Sequence, residues 1–243
     1  MNDLLKKIDR LKAEIDSHRP FDAHFLKQLR EYFKIGLTYS SNALEGNTLT
    51  EIETKIVIED GITVGGKPLR DYMEAVGHGE AFDYLFELAG DKEITEKDIR
   101  DLHRLFYYRI DKENAGVYRK TQAIITGSKY KLPGPEEIPG LMEAFIKSIP
   151  DKRGELHPVE LGAWVHREFV FIHPFIDGNG RLARLLMNLV LTRAGYTIAL
   201  IPPILRGDYI QSLEEAHTND RPFRKLIARA VLESQKDCLR LIE

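Results

Sequence analysis

The sequence predicts a mainly α-helical protein. Through most of the 243 residues, apolar side chains recur at intervals of three and four, the spacing that places them on one face of an α-helix. Two segments, 158–172 and 181–192, are apolar on nearly every side, which is typical of helices buried inside a core. Only residues 116–133 have a β-like pattern, and the Gly127-Ser128 pair within them predicts the turn of a short hairpin.

The composition fits one large domain or a domain with an appendage. Hydrophobic residues make up 43% of the chain, which is enough for a substantial core. The net charge of −3 would not gather nucleic acid or anionic lipid, so we expect neither nucleic acid nor a membrane as a partner. The single cysteine, Cys238, excludes an internal disulfide and the usual multi-cysteine zinc sites. Because the sequence has no signal-peptide pattern and no apolar run of about 18 residues, we expect a cytoplasmic location.

The first half of the chain predicts five helices. The first is amphipathic and ends before Pro20; we expect its apolar face to pack on its own domain, with contact to another copy of the chain as the alternative. The second runs toward Gly46, a residue type that commonly ends helices. Thr50 and Thr95 are each followed three residues later by an acidic residue, the capping-box pattern that begins a helix. The predicted helices cover residues 1–18, 22–46, 50–61, 69–88 and 96–109.

The second half of the chain predicts five more helices. Residues 151–155 are polar, and we expect a loop there before Pro158 begins the next helix at a position where proline is tolerated. His78 and His103 fall within helices of the first half and are interpreted as packed or surface residues, because no second ligand stands at metal-binding spacing. The predicted helices cover residues 135–149, 158–172, 181–192, 208–217 and a final segment from 221.

One stretch of twelve residues concentrates the chemically active side chains. It covers residues 173–184 and reads His-Pro-Phe-Ile-Asp-Gly-Asn-Gly-Arg-Leu-Ala-Arg. The Gly-Asn-Gly of residues 178–180 directly precedes a helix, so its backbone N–H groups and the helix N-terminus would form a cradle for phosphate. Arg181 and Arg184 stand three residues apart on one helix face, where their forked donors can bind further phosphate oxygens.

The same stretch supplies a base and a carboxylate. His173 has a pKa suited to proton transfer near neutrality, and Asp177 offers the hard oxygen ligand that Mg²⁺ prefers. Arg181 and Arg184 lie on a narrow polar stripe of a helix that is otherwise apolar, and a buried helix must pair such charges with anions. The set predicts phosphoryl or nucleotidyl transfer; the alternative is that both arginines serve only as structural ion-pair partners.

The stretch resembles the signature of the Fic family, H-x-F-x-[D/E]-G-N-G-R-x-x-R, at every defining position. Members of this family generally transfer AMP from ATP to a Ser, Thr or Tyr hydroxyl of a target protein, whereas Doc-type relatives lack Gly-Asn-Gly and phosphorylate instead. The resemblance therefore implies a Fic-type helical fold, ATP as donor and a metal ion, Mg²⁺ or Mn²⁺. It also implies that His173 is the general base, Asp177 the metal ligand, Gly178, Asn179 and Gly180 the anion hole for the α-phosphate, and Arg181 and Arg184 the contacts of the β- and γ-phosphates.

A second motif lies at the predicted end of the second helix. Ser41-Asn-Ala-Leu-Glu45-Gly46 resembles the Fic inhibitory motif, [S/T]-x-x-x-E-[G/N], in the subgroup that carries it N-terminal to the active site. The resemblance implies that Glu45 pairs with Arg184 when nucleotide is absent and competes with the γ-phosphate for the same guanidinium. The alternative is a helix-terminal glutamate that pairs with a surface lysine.

Two further segments resemble parts of Fic proteins. Residues 117–133 correspond to the hairpin flap over the active site, on which the backbone of the target docks as an added strand; a hairpin without this role is the alternative. Residues 209–223 resemble the segment that lines the adenine pocket, with Tyr209 stacked on the base and His217 beside it. This match is looser, because relatives often carry Tyr in place of Ile210 and Asn in place of His217.

Together these observations predict a Fic domain over residues 21–240, preceded by an N-terminal helix within residues 1–20. The domain would contain the inhibitory helix at about 22–46, the flap at about 117–133 and the active-site loop at 173–184. We expect transfer of AMP from ATP to a hydroxyl of a protein target that docks on the flap, restrained by Glu45, with self-modification and a homo-oligomer as further expectations. Removal of AMP from a modified protein by the same site, and nucleotide sensing without turnover, are the alternatives.

Overall fold

The computed structural model describes residues 1–90 and 93–242, and these residues form a helical domain. The described residues contain ten α-helices and no β-strand, so the predicted mainly α class is confirmed. Within these ranges, no helix combines the length and the apolar character that spanning a lipid bilayer requires. The helices are α1 (Asn2–Ser17), α2 (Ala23–Leu44), α3 (Glu51–Glu59), α4 (Leu69–Leu88), α5 (Glu96–Tyr107), α6 (Ile138–Glu155), α7 (Pro158–Ile172), α8 (Asn179–Arg193), α9 (Arg206–Glu215) and α10 (Arg221–Ile242).

The centre of the core is the pair formed by α7 and α8, which residues 173–178 connect. α6 and α10 pack against α7, whereas α2, α4 and α5 pack against α8. Because α8 has neighbours on all sides, its apolar residues fill the middle of the domain. Leu182, Leu185, Leu186 and Leu189 are each at most 1% exposed. The loop between the two helices is therefore held between buried elements at both of its ends.

The helix starts predicted from capping residues occur where the sequence places them. Thr50 and Thr95 both form reciprocal capping boxes, in which the threonine hydroxyl accepts from a backbone N–H and the acidic side chain accepts from the threonine N–H. Asp22 caps α2 by accepting from two backbone N–H groups. These bonds satisfy donors that the first turn of a helix leaves without carbonyl partners.

The N-terminal helix packs on its own domain. α1 lies against α10, with Leu5, Ile8 and Ile15 buried in the contact. The side-chain amide of Gln235 on α10 donates to the carbonyl of Ile8 at 3.1 Å, which fixes the position of α1 along α10. This arrangement agrees with the first of the two roles considered for the amphipathic helix.

The predicted loop at residues 151–155 is wrong, because α6 continues through this segment. Pro150 lies inside the helix and cannot donate a backbone hydrogen bond, but the buried Ile149 beside it anchors the turn to the core. Lys152 pairs with Glu155 at 2.6 Å, and Arg153 pairs with Glu93 at 3.3 Å. The polar composition therefore belongs to the exposed face of a last helical turn.

The predicted β-hairpin at residues 117–133 is not found among the described residues, where this segment has a turn at 126–127 but no strand. The N–H of Ser128 donates to the carbonyl of Ile125 at 3.1 Å and closes the turn. Side chains, not a backbone ladder, connect the two arms. The guanidinium of Arg119 donates to the carbonyls of Thr121 and Pro133 at 3.0 and 2.7 Å, and so occupies groups at the base of the loop that strand pairing would use.

We expect Gly77→Ala to destabilise the fold, because α4 and α5 touch at this glycine. A Cβ atom at position 77 would lie 2.7 Å from the carbonyl oxygen and 2.8 Å from the Cα atom of Phe106, and backbone atoms cannot rotate away. Overpacking of this kind costs about 1–3 kcal/mol, measurable as a loss of unfolding free energy in urea. Gly140→Ala in α6 is the control, since nothing lies near its Cβ position and alanine favours a helix by about 0.5–1 kcal/mol. Equal stability of both variants would contradict the close contact.

Candidate active site

The loop between α7 and α8 turns back through two residues with positive φ. His173 ends α7 at φ 51° and ψ 57°, a conformation that L-residues with a side chain rarely adopt. Gly178 precedes α8 at φ 78°, and a Cβ atom there would lie 2.5 Å from the ring of Phe106. Position 178 therefore needs glycine both for its backbone conformation and for the space that it leaves.

Asn179 closes this loop with its side chain. Its Oδ1 accepts from the N–H of Phe175 at 2.9 Å, and its Nδ2 donates to the carbonyl of Phe175 at 2.8 Å. The side chain is buried and already paired in the loop, so only the backbone of Asn179 can contribute to the predicted anion hole. What remains for an anion is the backbone N–H of Asn179 and of Gly180, which belong to the first turn of α8 and have no carbonyl partner within the helix.

His103 on α5 contacts the loop and holds two of its residues in place. The N–H of Gly116 donates to its Nδ1 at 2.8 Å, so the proton lies on Nε2, which faces the carbonyl of Asp177 at 3.1 Å. Its ring stacks on Phe175 with 3.8 Å between centroids. Burial lowers the pKa of His103 to about 4, and the imidazole is neutral at physiological pH. It is a packed histidine, as predicted, but sequence patterns gave no indication that it holds Asp177 in place.

His173 is oriented so that one ring nitrogen remains available. Its Nδ1 lies 3.3 Å from the carbonyl of Val170; because a carbonyl only accepts, Nδ1 carries the proton and Nε2 is an acceptor. Burial lowers the pKa of His173. Arg119 fixes the backbone at this point, since its Nε donates to the His173 carbonyl at 2.8 Å and its own N–H donates to the carbonyl of Pro174 at 2.9 Å.

Arg184 is 1% exposed and its guanidinium is surrounded by oxygen atoms. Its Nε donates to Ser41 Oγ at 2.9 Å and its Nη1 donates to Tyr209 Oη at 3.1 Å. Its Nη2 donates to the Ser41 carbonyl at 2.8 Å and to Glu45 Oε1 at 2.7 Å. The structure therefore brings both residues of the second motif, Ser41 and Glu45, to the arginine that the first motif contributes.

Glu45 lies at the end of α2, with its carboxylate over the first turn of α8. A Cβ atom at Gly180 would collide with Glu45 Oε1, so the absence of a side chain at 180 makes room for this contact. Burial alone would raise the pKa of Glu45, but the adjacent Arg184 guanidinium outweighs it and lowers the pKa. The carboxylate is therefore ionised, and it lies close to the N-terminus of α8, where a negative charge is favourable.

Arg181 is 2% exposed and is also paired within the chain. Its Nη1 lies 2.9 Å from Glu74 Oε1 on α4, and its Nη2 lies 3.5 Å from Asp177 Oδ1. Its guanidinium stands over the ring of Phe106, 5.3 Å from the centroid. Glu74 was not identified from the sequence. Only its i, i+4 spacing from Arg70 on α4 could have indicated a charged pair on that helix face.

Asp177 is the most accessible charged residue of the loop, with 42% of its side chain exposed. Its Oδ1 accepts from the N–H of Gly178 at 2.6 Å, and its Oδ2 accepts from Nη2 of Arg70 at 2.7 Å. Among the described residues, no three histidine, cysteine or acidic side chains lie close enough together to hold a metal ion by themselves. One exposed carboxylate beside a phosphate cradle still fits Mg²⁺, which commonly binds through one or two carboxylates and the oxygens of substrate phosphates.

Tyr209 does not lie where base stacking would require it. It is 5% exposed, and its hydroxyl accepts from Arg184 and donates to Nε2 of His166 at 3.0 Å. The ring belongs to the core around α10 and leaves no open face for an adenine. Tyr209 is thus part of the site through Arg184, in a position different from the predicted one.

His217 does not face the loop either, because both faces of its ring are covered. It is stacked between Tyr130 and Phe171, with centroid distances of 3.6 and 3.7 Å. Nearby, the carboxylate of Glu214 accepts from the hydroxyl of Ser128 at 2.9 Å and from the N–H of Lys129 at 2.7 Å. Stacking of His217 on adenine is therefore not available, while a contact through the edge of this exposed ring stays a prediction. His217 connects Tyr130 of the 117–133 segment with Phe171 of α7.

Comparisons with known proteins agree on one family. The model of the Fic/DOC family matches residues 93–191. A crystal structure of a Fic domain containing signaling protein from Bacteroides thetaiotaomicron superposes with a TM-score of 0.89 at 32% identity, covering 97% of both chains. A structure of Fic-1 from C. elegans, residues 134–508, superposes with a TM-score of 0.89 at 29% identity, covering 99% of this chain and 72% of that one.

Curated relatives carry the name protein adenylyltransferase Fic. The protein from Nematostella vectensis is 37% identical over 232 residues, which is 93% of this chain and 53% of the relative. The protein from Drosophila grimshawi is 40% identical over 193 residues, which is 78% of this chain and 40% of the relative. The chain thus spans about half or less of the length of these curated relatives.

We expect Asn179→Ala to loosen the loop, because the buried N–H and carbonyl of Phe175 would both lose their partners. An unsatisfied buried group costs about 1–3 kcal/mol, so the free energy of unfolding in urea should fall by at least that amount. Gln122→Ala is the control, since this amide is exposed and its loss should change stability by less than about 0.5 kcal/mol. If the two substitutions cost the same, the side chain of Asn179 does not hold the loop closed.

Proposed function

The chain belongs to the Fic/DOC family, and from the geometry of its loop we propose that it is a protein adenylyltransferase, which transfers AMP from ATP to a hydroxyl group of a protein. The single observation that carries the proposal is the position of His173 beside the first turn of α8. An imidazole with a free acceptor nitrogen, unpaired helical N–H groups and two buried guanidinium groups converge there. A base and an anion cradle side by side are what transfer of a phosphate-linked group to a hydroxyl requires.

In the proposed reaction the target hydroxyl oxygen forms a bond to the α-phosphorus of ATP. The bond from that phosphorus to the oxygen that bridges it to the β-phosphate breaks, and pyrophosphate leaves. His173 accepts the hydroxyl proton on Nε2, because the carbonyl of Val170 holds the proton of Nδ1. The N–H groups of Asn179 and Gly180 bind the negative charge of the α-phosphate, while Arg181 and Arg184 bind the other phosphates.

Asp177 is the residue that would hold the metal ion, Mg²⁺ or Mn²⁺, and the ion would neutralise charge on the phosphate oxygens. The exposure of the Asp177 side chain, 42%, supports this assignment. Asp177 needs no other protein carboxylate for this role.

We also propose that Glu45 restrains the reaction. Its carboxylate takes a donor of Arg184 and lies over Gly180, so a γ-phosphate at Arg184 would meet a negative charge already in place. A nucleotide that enters beside Glu45 would be displaced from the in-line geometry that transfer needs. The Fic domain is assigned to residues 21–240 with α1 as an attached helix, because α2 supplies Ser41 and Glu45 to the site.

The 117–133 segment is the proposed docking site for the target backbone. Its arms lack the backbone pairing of a hairpin, and Ile124 on one arm is 90% exposed. Arg119 fastens the base of the segment to the catalytic loop and Glu214 fastens its tip to α9. A fixed segment whose backbone is not paired into a ladder is suited to pairing with another backbone through the groups that the side chains leave open.

We expect Glu45→Gly to raise self-modification with ATP labelled at the α-phosphate. Removing a competitor worth about 1.4 kcal/mol corresponds to a tenfold change, so the rate of labelling should rise about tenfold or more. Combining Glu45→Gly with His173→Ala should abolish the labelling, because no base remains. Glu59→Gly is the matched control: it also removes a glutamate at the end of a helix, but one that lies at the surface and, among the described residues, pairs with Lys55 alone.

Three outcomes separate the alternatives. Equal labelling of the wild-type chain and the Glu45→Gly chain would remove the inhibitory role of Glu45. Tight ATP binding without labelling in the Glu45→Gly chain would indicate a nucleotide sensor. Release of free AMP from a previously labelled protein, observed only when Glu45 is present, would indicate the reverse reaction.

The pH dependence of labelling tests the role of His173. Because burial lowers its pKa, the imidazole stays neutral and able to accept a proton at pH values where an ordinary histidine is protonated. In the Glu45→Gly chain, the rate should therefore persist as the pH falls below about 6.5, the unperturbed histidine value, and decline only at lower pH. An inflection above that value, measured from initial rates in buffers of constant ionic strength, would contradict the assignment.

A further inference from the structure

Four charged side chains at the edge of the site form a closed ring. Arg70 and Glu74 come from α4, Asp177 from the loop and Arg181 from α8. Arg70 Nε lies 3.0 Å from Glu74 Oε1, and Arg70 Nη2 lies 2.7 Å from Asp177 Oδ2. Arg181 completes the ring at 2.9 Å from Glu74 and 3.5 Å from Asp177. The two motifs of the sequence do not include Arg70 or Glu74.

Arg70 occupies the side of Asp177 on which a metal ion would bind. Oδ1 of Asp177 already accepts from the N–H of Gly178, so Oδ2 is the oxygen that is left for an ion, and Arg70 donates to it. A guanidinium and a divalent cation cannot share this oxygen without close contact between like charges. Binding of a metal ion by Asp177 therefore requires Arg70 to leave.

Arg70 is positioned so that it is able to leave. More than half of its side chain, 55%, is exposed, and its hydrogen bonds go to the two carboxylates alone among the described residues. Glu74 is 8% exposed, but it retains Arg181 and the amide of Asn47 when Arg70 moves away. No buried charge is left unpaired, so the displacement breaks only ion pairs that water replaces well.

The same turn of α4 also holds the chain that follows Glu45. Asn47 donates to the carboxylate of Glu74 at 3.0 Å and to the carbonyl of Asp71 at 3.1 Å. Thr48 donates from both its N–H and its hydroxyl to Asp71 Oδ2, at 2.8 and 2.6 Å. The first turns of α4 thus connect the metal-binding carboxylate of the site with the end of the helix that carries the inhibitory glutamate.

We propose that Arg70 is an internal cation that occupies Asp177 in the nucleotide-free chain and competes with the divalent metal ion for it. The proposal rests on the proposed function, in which Asp177 binds the metal. Arg70 raises the metal concentration at which the site fills and keeps the Asp177 carboxylate paired until a metal–nucleotide complex arrives. It acts beside Glu45, which occupies the neighbouring cation Arg184.

The test is the affinity of the full chain for Mn²⁺, measured from the spectrum of free Mn²⁺ by electron paramagnetic resonance. Each chain is kept in excess over α,β-methylene ATP, which cannot transfer AMP, so that little free nucleotide is left to bind Mn²⁺ by itself. In Arg70→Gln the dissociation constant for Mn²⁺ should fall about two- to fivefold, the range expected when an exposed ion pair no longer competes. Arg70→Lys keeps a positive charge and should lie between Arg70→Gln and the wild-type chain.

Two controls keep the result specific. Arg109→Gln removes an exposed arginine that follows α5 and pairs with Glu80 on α4, the helix that carries Arg70. This substitution should leave Mn²⁺ affinity unchanged. Asp177→Asn should weaken Mn²⁺ binding in both the wild-type and the Arg70→Gln backgrounds, and the two Asp177→Asn chains should bind Mn²⁺ equally, because Arg70 then has no carboxylate to occupy. Melting temperatures recorded in parallel identify any variant that loses Mn²⁺ only because it unfolds.

Unchanged or weaker Mn²⁺ binding by a folded Arg70→Gln chain would overturn the proposal, since a purely structural arginine predicts that result. Tight Mn²⁺ binding by Asp177→Asn would overturn it as well, because competition at Asp177 would then be irrelevant. Failure of the proposed function has a separate readout, the absence of labelling in the Glu45→Gly chain, and that result leaves the metal titration interpretable.

Discussion

The constraint on which the site depends is the burial of two guanidinium groups on the central helix. Arg181 and Arg184 are 2% and 1% exposed, on a helix whose other faces are filled with leucine. A buried charge without a partner is costly, so the elements that surround these two side chains have to present oxygen atoms to them. α2 does so through Ser41 and Glu45, α4 through Glu74 and α9 through Tyr209. The same arrangement of helices therefore buries the core of the domain and pairs the two arginines.

Under the proposed function, a nucleotide that binds would therefore replace ion pairs that already exist within the chain. The nucleotide-free chain already provides an anion for each cation of the site and a cation for its exposed carboxylate. Under the proposed function, ATP with a metal ion would replace both kinds of partner: its phosphates would pair with the arginines, and the metal ion would pair with Asp177. The affinity of the site then depends on the difference between two sets of ion pairs, and a single residue on the periphery, such as Arg70, changes that difference without touching the nucleotide.

The separation of two residues along the chain decides whether their contact could be predicted from the sequence. The loop was predictable because its parts are adjacent: Gly178 and Asn179 determine its shape through contacts within a few residues. The contact of Glu45 with Arg184, which are 139 residues apart, was predictable only because the two motifs resemble one family. Arg70 and Asp177 are 107 residues apart, and no motif connects them. From the sequence alone, many acidic residues could equally well pair with an exposed arginine on a helix.

The wrong predictions have the same origin. The polar composition of residues 151–155 described an exposed helical face equally well, and only the neighbouring core decides between helix and loop. Alternating apolar residues in 117–133 predicted paired strands, but Arg119 takes the carbonyls of Thr121 and Pro133 and at the same time the carbonyl of His173. One guanidinium thus fixes the 117–133 segment, the proposed docking site, to the backbone of His173, the proposed base. A target backbone that pairs with this segment would present its side chain at a constant height above Nε2 of His173. Which residue of the target is modified would then depend more on how far its hydroxyl extends from the target backbone than on the neighbouring residues of the target sequence.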